Sequence, residues 1–187
     1  KQVREQRDDV EAHGARCSVV EAPIDGDASG GQVHVVDVGA HEGDQALGLV
    51  GRKGRDFFRR RGFDVRYEDV GLFSSLKYSH AQAVAARAIE EFTEGRVSRV
   101  YLVYNEFKSV ISQKLTVKKI LPVPVPEGKE TRDYIYEQPP DQLLGSLLPN
   151  YVSIMVYAAM LESAAAEQAA RMVAMDAATS NASKVID

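Results

Sequence analysis

Hydrophobic positions along the chain follow two different periods. Short runs rich in Val, Ile, Leu and Tyr predict strands at Val33–Val38, Ala46–Val50, Phe63–Tyr67 and Arg99–Tyr104, the last being the clearest. Arg16–Val20 is a further strand candidate, Val110–Leu121 alternates in its second half as a half-exposed strand does, and Asp133–Glu137 predicts a last short strand. Between them, Gly51–Arg61 predicts a short basic helix carrying Phe57 and Phe58. His80–Phe92 sets Ala81, Val84, Ala85, Ala88, Ile89 and Phe92 at helical spacing before Gly95. Residues 1–13 read as the solvated end of a helix stopped by Gly14, and Pro122, Pro124 and Pro126 impose an extended loop. Strands alternating with helices predict an α/β, Rossmann-like domain with a mainly parallel sheet.

The C-terminal pattern is different. From Pro149 to about Asn181 there is no glycine or further proline, and alanine is abundant. Tyr151, Ala158, Ala165, Met172, Thr179 and Ile186 occupy one position of a seven-residue repeat, and Ile154, Leu161, Gln168, Met175 and Ala182 occupy another. Such a repeat describes a long helix packed along a second helix, and no other segment of this chain has the length and period to be its mate. The chain therefore divides into an α/β domain over 1–140 and the start of a coiled-coil helix over 141–187. Gln142–Leu161 carries no charge and is nominally long enough to span a bilayer. Pro149 is expected to split it into two pieces, each too short to do so, so no membrane span is expected.

Composition adds mainly exclusions. In 187 residues, 23 Lys and Arg face 27 Asp and Glu, a net charge of −4 that argues against a dedicated nucleic-acid binder. Cys17 is the sole cysteine, so no internal disulfide is possible. The chain opens on Lys1 with no signal-peptide pattern, as expected of a fragment or processed form. His13, His34, His41 and His80 show no metal-ligand spacing, and no P-loop or Gly-x-Ser-x-Gly elbow is present. The basic cluster Arg52, Lys53, Arg55, Arg59, Arg60 and Arg61 could hold phosphate, but it reads better as the wet face of a helix. VDVGAHEGD (36–44) has a faint likeness to the nucleoside-cofactor loop of methyltransferases. That reading needs a helix directly after the turn, and QALGLV looks like another strand, so a polar hairpin loop is expected. The residues suggest no catalytic centre, cofactor or metal.

Several runs together do carry a resemblance. VGRKGRDFFRRRG (50–62), YNEFKSVISQK (104–114), ILP (120–122), YEQPPDQLLGSLLPNY (136–151) and LESAAAEQAARMVAMDAATSNA (161–182) are similar to the γ subunits of F-type ATP synthases. Residues 20–46 match poorly, and the family usually has Ser where this chain has Ala166. The family's N-terminal helix, its first central strand and the remainder of its C-terminal helix have no counterpart here. The resemblance implies a non-catalytic central-stalk rotor subunit, with an α/β foot below a coiled-coil shaft. It implies coupling of proton-driven c-ring rotation to nucleotide chemistry on β subunits, with α, β and ε subunits and the c ring as partners. It also implies a peripheral place on the cytoplasmic face of a bacterial inner membrane. Tyr134 and Glu137 fall where that foot meets the c ring, and Arg171 falls where the shaft faces the catalytic subunit. Met172 and Met175 join them as interface candidates. The competing expectation is a small α/β enzyme using the Val36–Asp44 loop.

Overall fold

The computed structural model describes residues 33–39, 45–124 and 136–186. In chain order these form β1 (Val33–Gly39), β2 (Gln45–Val50), α1 (Arg52–Arg60), β3 (Asp64–Asp69), a 3-10 turn (Leu72–Ser74), α2 (Tyr78–Thr93), β4 (Val97–Phe107), β5 (Gln113–Leu121) and α3 (Pro140–Ile186). The expected strand Arg16–Val20, the helix end over 1–13 and the loop at 40–44 lie outside the described residues. So do Asp133, Tyr134 and Ile135 of the last expected strand, and its remaining residues, Tyr136 and Glu137, are not in a strand.

Five strands make one sheet in the order β3-β2-β1-β4-β5. β2 and β3 pair in parallel, whereas β1 runs antiparallel to both β2 and β4, and β4 runs antiparallel to β5. Three strands, β2, β3 and β4, thus point one way, and β1 and β5 oppose them. The α/β class and the long C-terminal helix stand, but direct parallel pairing is confined to one ladder, which corrects the mainly parallel expectation. Chain length explains the difference. Five residues join β1 to β2 and five join β4 to β5, and a parallel crossover needs a dozen or more. β2 to β3 and β3 to β4 do pass through helices, and only those connections preserve direction.

The sheet is covered on both faces. On one side α2 and α3 bury Ala81, Val84, Ala85, Ala88, Val152, Val156, Ala159 and Met160 against Val50, Val100, Leu102 and Ile120. On the other side Phe58 of α1 meets Leu47, Leu49, Tyr101 and Val103. Phe58 stacks edge-on with Phe57 and Phe63, at ring distances of 5.1 and 5.3 Å. Gly51 turns β2 into α1 at a φ of +121°, a conformation costly for a side chain, and its N–H donates to the Asp69 carbonyl at 2.9 Å.

α3 is one continuous helix of 47 residues with Pro149 inside it, not the two pieces expected from the proline. Proline deprives the ladder of one bond, the one to the Gly145 carbonyl. Residues 144–151 are exposed, so water can satisfy that carbonyl and the helix need not end. Just downstream the Ser153 hydroxyl donates to the Pro149 carbonyl at 2.9 Å.

Candidate functional site

α3 has two apolar faces on opposite sides. Val152, Val156, Ala159, Met160, Ser163, Ala166 and Ala169 are buried on the domain side. Every position of the seven-residue seam from Tyr151 to Ile186 is exposed, including Tyr151 at 41%, Leu161 at 45%, Met172 at 56% and Met175 at 59%. The sheet-facing residues fall at heptad positions b, c and f for most of its length, and the seam is a and d, so one helix can serve its own core and a second helix together. The seam also extends upstream of the expected start: Leu144 and Leu147, seven residues before Tyr151 and Ile154, are likewise exposed. The seven-residue spacing alone could have found them, had Pro149 not been read as a break.

The double apolar character also explains why α3 is, by length and composition, apolar enough to cross a membrane. Part of that hydrophobicity faces the sheet. The rest is the open seam.

Packing against the domain ends at Ala169, and Arg171–Ile186 is exposed throughout, a projection of roughly 24 Å at the helical rise. Arg171, Met172 and Met175 all lie on this projection. The Arg171 guanidinium donates to Glu167 at 2.6 Å and to Gln168 at 3.2 Å, one turn earlier on the same helix. Glu137 is exposed at the other end, just before α3 begins. Arg171 lies more than thirty helical residues further along, ~45 Å away, so the two candidates do not share one site. Tyr134 lies outside the described residues.

The lower part of α3 is anchored by specific contacts. Tyr78 of α2 donates to Asn150 at 2.6 Å, and its ring meets Tyr157 edge-on at 5.6 Å. Glu162, Ser163 and Ala166 hydrogen-bond to the β4–β5 hairpin. Burial, together with the nearby Glu106 and Glu162 carboxylates, raises the Tyr104 phenol above its ordinary pKa. Elsewhere on the domain the cations of α1 behave as a solvated face. Arg52, Lys53, Arg59 and Arg60 are exposed, as is Arg61 just beyond the helix, whose guanidinium lies 3.9 Å from the Phe57 ring centre. Among the described residues no group of His, Cys, Asp and Glu could hold a metal ion. The Val36–Asp44 segment, whose first four residues belong to β1, leads into strand β2, so the helix N-terminus that a nucleoside phosphate would need does not follow it.

The described residues thus form an α/β layer with a long helix whose exposed face carries the seven-residue repeat of a coiled coil. Residues 33–187 match the profile of the family described as ATP synthase, and the chain belongs to that family. Its relatives are gamma chains. That of Solibacter usitatus is 53% identical over 151 residues, 80% of this chain and 53% of that protein. That of Pelotomaculum thermopropionicum is 46% identical over 145 residues, 76% of this chain and 51% of that protein. The central stalk and c ring of the Tetrahymena thermophila mitochondrial ATP synthase, seen by cryo-EM, contain a similar chain. It superposes at a TM-score of 0.55 with 28% identity, covering 70% of this chain and 58% of that one. The present chain spans about half the length of the curated relatives it matches.

Proposed function

We propose that this chain acts as part of the central-stalk rotor of an ATP synthase, a non-catalytic subunit that turns c-ring rotation into conformational change at the nucleotide sites of β subunits. Its partners on this reading are the α, β and ε subunits and the c ring, and it sits peripherally on the cytoplasmic face of the bacterial inner membrane. One observation carries most of the weight: α3 is fixed to an α/β domain by one face and leaves a complete seam open on the other. A shaft needs both, a grip on its base and a stripe for the companion helix. Coupling then follows from contacts that differ among three β conformations as the asymmetric shaft turns.

Arg171 supplies the test. Its pair with Glu167 is exposed, and exposed pairs of this spacing contribute only about 0.3–0.5 kcal/mol. In a reconstituted complex carrying this chain in the gamma position, Arg171→Ala should alter hydrolysis rate or proton pumping while leaving the thermal transition of the chain in place. Unchanged pumping and unchanged hydrolysis would remove Arg171 from the interface. The competing cofactor reading predicts specific binding of nucleotide or S-adenosylmethionine by the isolated chain; calorimetric titration of each should give no specific heat.

A further inference from the structure

Among the described residues, β1 pairs with β4 as far as Val33 opposite Tyr104, and β4 continues to Phe107. Asn105 and Phe107, two residues apart, turn their N–H groups to the same side of the strand. Side chains of α3 supply the acceptors there. The Asn105 N–H donates to the Ser163 hydroxyl at 3.3 Å, and the Phe107 N–H donates to a Glu162 carboxylate oxygen at 2.9 Å. Opposite Phe107 on β5, the Gln113 side-chain amide donates to the Ala166 carbonyl at 2.9 Å. These three bonds gather on one turn of α3, just before Ala169, where the helix leaves the domain.

The placement matters mechanically. Below this turn the helix is held mainly by Val152, Val156, Ala159 and Met160, whose apolar contacts resist separation but have little directional preference. Hydrogen bonds do have direction, and a bond off the helix axis opposes rolling of the helix about that axis. A carboxylate receiving a backbone N–H is among the stronger of them. We propose that Glu162, Ser163 and Gln113 form a collar that fixes the rotational setting of α3 on the α/β domain, and that Glu162 is a positioning residue for torque transfer between foot and shaft. The collar is a local structural claim; its role in torque rests on the rotor reading above.

Two substitutions separate these claims. Glu162→Ala removes the acceptor, whereas Glu162→Gln keeps a side-chain oxygen at the same reach. In the chain itself, amide exchange at Phe107 should accelerate about tenfold or more in Glu162→Ala and remain within about twofold of the parent in Glu162→Gln. In the assembled complex, Glu162→Ala should lower protons pumped per ATP hydrolysed while hydrolysis continues, and Glu162→Gln should restore the ratio. Unchanged Phe107 exchange in Glu162→Ala overturns the collar. Accelerated exchange with an unchanged pumping ratio overturns its role in torque. Should Glu162→Ala fail to fold, Ser163→Ala removes the acceptor of the Asn105 N–H instead, and amide exchange at Asn105 together with the pumping ratio then gives the same two judgements. A parent complex that assembles without pumping counts against the rotor reading instead, and the exchange result still judges the collar.

Discussion

Glu91 shows how one side chain ties elements of the domain together. It lies near the end of α2, and its carboxylate receives the Arg96 guanidinium at 2.9 Å and the Arg66 guanidinium at 2.5 Å. Arg96 in the following turn, and Arg66 on β3, hold this carboxyl below its usual range against the opposing effect of burial. A carboxylate whose folded pKa is depressed stabilises the fold above its unfolded pKa, about 4.3 for Glu, and that stability drains away as pH falls through the folded value. Urea unfolding from pH 7 to pH 3 should therefore show a loss below about pH 4.3 that is smaller in Glu91→Gln. A variant with the same acid limb as the parent would place the charge coupling elsewhere.

α3 is where most of the functional information lies, and only half of it was legible in the sequence. The seam stands out because large residues, Tyr151, Ile154, Leu161, Met172 and Met175, repeat at the coiled-coil period. The sheet-facing side is built largely from Val, Ala and Ser, and Ala also occupies seam positions, so the opposite face does not announce itself. Pro149 reads as a breaker when only the ladder is considered, and the exposure that makes it tolerable is a tertiary property. Strand positions were legible for the same reason as the seam, from runs of β-branched and aromatic residues. Strand directions were not, because they depend on the length of each connection and on which neighbour a strand finds. The collar could not have been read at all: Glu162 and Phe107 are 55 residues apart, and nothing local marks either as the other's partner. The two faces make a sharp contrast between two methionines of the same helix. Met160 is fully buried, so Met160→Ala should cost about 2–5 kcal/mol in chemical unfolding. Met172 is exposed on the projection, so in the dilute, monomeric chain Met172→Ala should stay within about 0.5 kcal/mol of the parent. Equal losses at both would mean that the projecting part of α3 is covered in solution.

On the scale of the whole molecule, the 47-residue helix leaves its seam uncovered by the other described residues. Leu144, Leu147, Tyr151, Ile154 and Leu161 expose large apolar side chains along one line, continued by Met172 and Met175. A stable helix pair gains by covering such a stripe, and interfaces that persist in solution bury about 1,200–2,000 Å². When no companion helix is supplied, another copy of the chain offers the same stripe, and antiparallel pairing of two α3 helices is the simplest way to close both. Sedimentation of the chain alone should therefore show concentration-dependent association. The double variant Ile154→Lys, Leu161→Lys should sediment as a monomer, since it places charges in the seam without touching the sheet-facing side. Its domain should unfold at the same denaturant concentration as the parent monomer, because Val152, Val156 and Met160 are untouched. A synthetic helix with a complementary heptad seam should compete with self-association in the parent and have no effect on the double variant. If the parent is monomeric at every concentration with α3 fully protected from amide exchange, the stripe is not an unfilled interface, and the shaft reading loses its physical basis.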